Sequence, residues 1–145
     1  MNDMGWLKWL RERWAGKALP EHLRRGVAGE AAAKRYLERT GLKFLVANYR
    51  SAHGEIDLVF RDGDGLVFVE VKTRSSEEWA RPAAAVDAAK RRRLSRTALA
   101  YLKRLKHPQV RFRFDIVEVM LVDGEVNEVR HLPNSFPLEK PFRYG

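Results

Sequence analysis

Glu70 and Lys72 stand two residues apart in Leu66-Val67-Phe68-Val69-Glu70-Val71-Lys72-Thr73, so the alternation of a strand carries both charges to one face. A run this rich in Val and Phe reads as buried, and charges are almost never buried unless paired or holding a metal. Just upstream, Glu55-Ile56-Asp57-Leu58-Val59-Phe60 reads as a second strand with an acid of its own. The segment Asp62-Gly63-Asp64-Gly65 joins the two runs as a hairpin does. Asp57 and Glu70 then lie on adjacent antiparallel strands, each a few residues from the turn, and reach a common point if they share a face.

Two oxygen ligands on a rigid sheet with an ammonium one pleat away suit metal-assisted phosphodiester hydrolysis. Asp57 and Glu70 would hold a hard cation, Mg²⁺ or Mn²⁺, that keeps several waters and takes its remaining ligands from phosphate. The cation would polarise the phosphoryl oxygen and acidify an attacking water. Lys72 would orient that water or stabilise the developing charge, a role whose loss typically costs about 10²–10³ in rate. The alternative is an i, i+2 ion pair on a solvated face, common in antiparallel sheets.

A third carboxylate belongs with these two. From about Glu21 to Thr40 the pattern is helical, with Leu23, Val27 and Leu37 on one stripe and Glu30 within it. An acid on the buried face of a helix must be neutral or paired, and a metal shared with the strand acids accounts for Glu30 economically. The alternative is a pair with Lys34 at i+4, contributing a few tenths of a kcal/mol.

With 28 Lys+Arg against 19 Asp+Glu the chain has net charge +9 and a pI near 10.2, the electrostatic footprint of a polyanion binder. The charge is concentrated: Arg81 to His107 holds nine Lys or Arg and one acid, Asp87. That stretch reads as a helix opened by Pro82 and closed before Pro108, with Val86, Leu94, Ala98, Tyr101, Leu102 and Leu105 as its apolar stripe. Lys90 projects from the sheet-facing side as a second phosphate ligand near the carboxylates, while Arg91, Arg92 and Arg96 point elsewhere as contacts to the phosphate backbone. A solvated face is the alternative for those three. Tyr49-Arg50 and Arg74 sit at strand ends expected to open on the acids' edge, as binding residues or as ordinary solvated positions. Asp115 is a lone acid between apolar neighbours, read as structural and paired with a nearby Arg.

The chain of 145 residues is one domain's worth, large enough to bury roughly 68–70% of its unfolded surface. Absence of Cys excludes disulfides, thiolate metal sites and a Cys nucleophile, and agrees with a cytoplasmic location. The four His have no zinc-like spacing and read as surface or turn residues. The first twenty residues read as a basic amphipathic helix in which Trp6, Trp9 and Trp14 alternate with Lys and Arg. It is too short and too charged for a signal peptide or membrane span, and its expected roles are docking on its own domain or a second copy, an anionic membrane surface, or base stacking. A domain over 21–133 follows, and residues 134–145, with Pro137 and Pro141, read as an irregular, mobile tail. Strands are expected at about 42–50, 54–61, 66–74, 111–122 and 125–132, giving a mixed sheet flanked by helices.

Gly26, Gly29-Glu30-Ala31, Tyr36-Leu37, Gly41, Asn48-Tyr49-Arg50, Gly54-Glu55-Ile56-Asp57-Leu58-Val59 and Val67-Phe68-Val69-Glu70-Val71-Lys72-Thr73-Arg74 together resemble the YraN-type family of bacterial proteins. That family is similar in turn to archaeal Holliday-junction resolvases of the PD-(D/E)xK nuclease superfamily. The resemblance runs from about Leu23 to Val122 and implies an α/β, restriction-endonuclease-like αβββαβ core. It also implies roles: Asp57 as the metal-binding Asp, Glu70 as the variable acid, Lys72 as the catalytic Lys and Glu30 as the acid on the first helix. Ile56 stands where the superfamily has its naming proline, as is usual in resolvase-like members. The expected activity is a metal-dependent endonuclease acting on DNA, branched or structured DNA included, with RNA not distinguished by contacts to phosphate. A resolvase-like role implies a two-fold dimer. The rival expectation is a nucleic-acid-binding module with the fold but not the chemistry.

Overall fold

The computed structural model describes residues 12–79 and 86–145. Most of the Trp-rich N-terminal segment and the expected opening of the basic helix at Pro82 therefore lie outside the described residues. Helix α1 spans Glu21–Arg39, a short α2 spans Ser76–Trp79 and α3 spans Ala88–Arg104. The strands are β1 Lys43–Ser51, β2 Gly54–Asp62, β3 Gly65–Arg74, β4 Phe112–Val122 and β5 Glu125–Phe136. They form one sheet in the order β1-β2-β3-β4-β5. The β3–β4 pair is parallel and the other pairs are antiparallel, because only β3 and β4 are joined through a helix long enough to bring the chain back to the same end of the sheet. The mixed α/β architecture is the αβββαβ arrangement expected, with β5 added at the edge.

The strand alternation sorts the core into two layers. Val46, Val59, Leu66, Phe68, Phe114 and Ile116 face α3, where they meet Leu94, Ala98, Tyr101 and Leu102. Leu58, Phe60, Val67, Val69, Val117 and Val119 face α1, against Ala32, Ala33 and Leu37. β3 is thus apolar on both sides, as a central strand covered by helices must be. The small residues of α1 let it lie close to the sheet: a Cβ on Gly29 would stand 2.2 Å from Thr73 Oγ1. Between β4 and β5, Asp123 and Gly124 both adopt positive φ, 52° and 79°, which two-residue hairpin turns require and which Asp and Gly tolerate.

The basic helix starts later than expected. Asp87 is extended, and its side chain accepts a hydrogen bond from Lys90 N as an N-cap. Val86 precedes the helix, although it is buried in the α3-side core. β5 runs on to Phe136, past its expected end. Beyond it the tail is irregular but tied down: Phe136 stacks on Phe114 at 4.8 Å, Glu139 N donates to Ser95 Oγ, and Tyr144 donates to the Pro108 carbonyl. The tail therefore belongs to the α3-side layer. Among the described residues, no helix is long and apolar enough to cross a membrane.

Candidate active site

The β2–β3 ladder stops at Leu58↔Val69, so the next residues outward, Asp57 and Glu70, stand where the strands part. Val71 N, freed from a ladder partner there, donates to Asp57 Oδ2 at 2.8 Å. On the other side of β2, Asn48 falls between the pairs Ala47↔Leu58 and Tyr49↔Ile56, which puts it opposite Asp57. Its φ of 54° lies in the left-handed region that Asn tolerates better than most residues. Close packing of Gly29 on Thr73 brings the next residue, Glu30, to the same mouth from the helix layer. Three acids from α1, β2 and β3 therefore gather at one end of the sheet.

Their electrostatics follow from that gathering. Burial is the main cause that holds the Asp57 carboxyl well above the usual carboxylate range; the charge of Glu70, a hydrogen bond with Glu70 and the charge of Glu30 push the same way, against the Val71 N–H. Glu30 is raised to about 7, first by burial and then by Glu55 and Glu70, while a hydrogen bond from the Asn48 side chain lowers it. The Oδ1 of Asn48 is itself buried and finds no hydrogen-bond partner. Glu70 is only 9% exposed and is met from α3 by Lys90, Nζ to Oε2 at 3.3 Å. A cluster like this can share protons or bind a cation. The suggested Glu30–Lys34 pair does not form among the described residues; the Lys34 ammonium sits 3.9 Å from the centre of the Phe44 ring.

Lys72 lies on β3 two residues past Glu70 and shares its face by alternation. The predicted phosphate contacts divide. Lys90 is at the acids, as its spacing suggested. Arg92 and Arg96 are exposed on α3, with no ion pair among the described residues. Arg91 instead pairs with Glu139 of the tail at 2.8 Å, and Arg50 pairs with Glu55 at 2.7 Å on the surface. Arg74 does not open on the edge: it is 8% exposed and pairs with Glu118 at 2.5 Å. Tyr49 is likewise buried, packed edge-on against Tyr101, because its side chain falls on the α3 face of β1.

Sequence reasoning missed Asn48 and Glu55 as neighbours of Glu30, and missed Glu118. A signal existed for Glu118, an acid in the apolar run Ile116-Val117-Glu118-Val119-Met120, the same pattern that singled out Glu70. Asp115 is structural as expected, accepting from Arg113 Nε at 2.9 Å. It also holds His131 Nε2 at 2.7 Å, so His131 is not a simple surface histidine.

A model of the uncharacterised protein family UPF0102 matches residues 29–119. A UPF0102 protein of Geobacter metallireducens is 42% identical over 113 residues, covering 78% of this chain and 92% of the relative. One of Rhodococcus opacus is 38% identical over 118 residues, 81% of this chain and 100% of the relative. One of Symbiobacterium thermophilum is 50% identical over 94 residues, 65% of this chain and 80% of the relative. With the family model matching more than half of the chain, from Gly29 through all four residues of the acid and lysine cluster, this chain belongs to the uncharacterised protein family UPF0102, the YraN-type family that its motifs resemble.

Proposed function

We propose that this protein is a metal-dependent endonuclease that hydrolyses phosphodiester bonds in DNA, with branched or structured DNA as the first substrates to try. The observation that carries the reading is the acid cluster: Glu30, Asp57 and Glu70 come from three elements, and both Glu30 and Asp57 have carboxyls held high in part by the charge of Glu70. A divalent cation relieves that repulsion and lets the acids ionise together. The donors suit a hard cation, since all are oxygen, and the unpartnered Asn48 Oδ1 is a neutral acceptor at the same place. Among the described residues no group of three or more His, Cys, Asp or Glu side chains is arranged to hold a metal ion, so the reading requires the three acids to converge when the ion binds.

Asp57, Glu70 and Glu30 are the residues that would hold Mg²⁺ or Mn²⁺. When bound, such an ion supplies Lewis-acid polarisation of the phosphoryl oxygen and acidification of water. Lys72, on the face of Glu70, orients the attacking water or stabilises charge on the phosphate, and Glu70 together with Asp57 fixes where the scissile group rests. Lys90 holds an adjacent phosphate, with Arg92 and Arg96 further along α3. Without a cation the carboxylates would repel DNA, which is why intact acids favour an enzyme over a passive binder.

A binding module without chemistry is the second reading, favoured by one contact: Lys90 at 3.3 Å already gives Glu70 a counter-charge. Labelled four-way-junction, flap and linear DNA, incubated with Mg²⁺ or Mn²⁺, distinguish the two. Cutting by the wild type that disappears in Glu70→Ala while binding persists supports the nuclease. Tight binding with no cutting of any substrate supports the module.

A further inference from the structure

We infer that the cleft between α3 and the C-terminal tail is a second nucleic-acid site, one that takes an unpaired polynucleotide strand. The inference rests on the nucleic-acid part of the proposed function and not on catalysis. The cleft encloses about 1060 Å³, is walled by Arg96 and Lys103 of α3, Arg111, Arg143 and Tyr144, and contains no carboxylate side chain in its lining. That volume lies just above the roughly 300–1,000 Å³ range of single-ligand pockets, so the space suits a segment of chain better than one small molecule. Arg96, Lys103, Arg111 and Arg143 have no ion-pair partner among the described residues, unlike Arg50, Arg74, Arg91, Arg113 and Arg130. Four cations left unmatched around one concavity call for an anion with several charges.

The rings specify the anion further. Tyr144 stacks with His107 at 6.3 Å and is braced edge-on by Phe112 at 5.6 Å. His107 is exposed and is brought to the cleft by two successive non-glycine residues at positive φ, Lys106 at 64° and His107 at 51°. Two such residues in a row are unfavourable unless the surroundings hold them. In a duplex the base faces are stacked away from protein, whereas unpaired bases stack on aromatic side chains while their phosphates meet cations. Cations beside the exposed His107 ring and the half-buried Tyr144 ring therefore fit a single strand. Thirteen residues of α3 separate Lys103 from Lys90, about 20 Å at 1.5 Å per residue. One phosphodiester cannot touch both places, but a polynucleotide with a paired segment at the acids and an unpaired arm can.

The test measures binding without metal to labelled twelve-nucleotide oligo-dT and oligo-U, a twelve-base-pair duplex and inorganic polyphosphate, across a salt series. The proteins are the wild type and the triple variant Lys103→Ala/Arg111→Ala/Arg143→Ala, altered at three exposed positions; thermal melts check that each is folded. The expected result is a loss of at least tenfold in single-strand affinity in the triple variant, with the salt slope reduced by about two, near 0.7 for each phosphate no longer neutralised. A preference between oligo-dT and oligo-U tells which of the two strands binds better, and either supports the inference. Unchanged single-strand binding in the triple variant overturns it, as does an equal loss for the duplex or polyphosphate bound as tightly as oligonucleotide. Absence of cutting by the wild type sinks the nuclease reading while leaving this result intact.

Discussion

Asp115 and Glu118 on β4 are completely buried, more so than the acids at the parting of β2 and β3, but each is paired with arginine. Asp115 takes Arg113, His131 and the backbone N–H of Asn134. Glu118 lies between Arg74 and Arg130, and Arg130 is in turn stacked over Trp79 at 3.9 Å. At the parting three acids meet, Lys90 pairs with Glu70, and burial and mutual repulsion raise Glu30 and Asp57. The two regions use the same residue types in the same kind of apolar strand. What separates a structural acid from a candidate ligand is the counter-charge supplied by neighbouring elements, not burial.

The largest test of this contrast is Glu118→Ala, which leaves the buried Arg74 without its carboxylate partner and is expected to destabilise the fold by about 3–5 kcal/mol in urea unfolding. Asp57→Asn should leave stability unchanged or raise it, since it removes a charge that the apo fold resists. An equal loss in both variants would erase the distinction. Next, Mg²⁺ or Mn²⁺ at a hundredfold excess over its dissociation constant should stabilise the wild type by about 2.7 kcal/mol, an increment absent in Asp57→Asn and retained in Asp115→Asn. A calorimetric melt with and without the ion reads both.

Gly29→Ala pushes a methyl into Thr73 Oγ1 and should cost about 1–3 kcal/mol through overpacking. It shifts Glu30 away from Asp57 and Glu70, so cutting should fall although no carboxylate is altered; full activity would show that Glu30 need not be held there. The smallest effect is on pH. A folded value of about 7 for Glu30, above the ordinary carboxylate value, means that the folded chain binds the extra proton. Its contribution is complete below the unfolded value near 4.5 and is lost as the pH rises through about 7. Lowering the pH of metal-free protein from about 8 to about 6 should therefore stabilise it by on the order of 1 kcal/mol, and Glu30→Gln should remove that share of the slope.

The fold was legible where period and punctuation agree. Val67, Val69 and Val71 against Leu66, Phe68 and Glu70 define a strand covered on both faces, and the Asp62–Gly65 turn sets its antiparallel neighbour. The acid cluster was legible in part: alternation places Glu70 and Asp57 on one face of neighbouring strands, whereas Glu30 comes from the opposite helix layer and meets them only at the end of the sheet. Arg74 was misread because a strand-end position tells nothing of what the parallel neighbour offers; register puts Arg74 beside Met120 and Lys72 beside Glu118, and the guanidinium reaches along β4 to Glu118. Arg91 was misread because its partner, Glu139, is 48 residues away in a tail that lacks periodicity.

By itself, then, the sequence determined the elements, their two apolar faces, the strongly positive charge and the candidate acids and lysine, because these depend on local periodicity and residue type. Only the tertiary structure decided which charges are matched. Counter-charge is a through-space quantity: Glu118 receives Arg74 and Arg130 from two other strands, Glu30 receives Asn48 and the repulsion of Glu70, and the unmatched cations of α3 meet Arg111 and Arg143 across a cleft that no segment of the chain encodes alone.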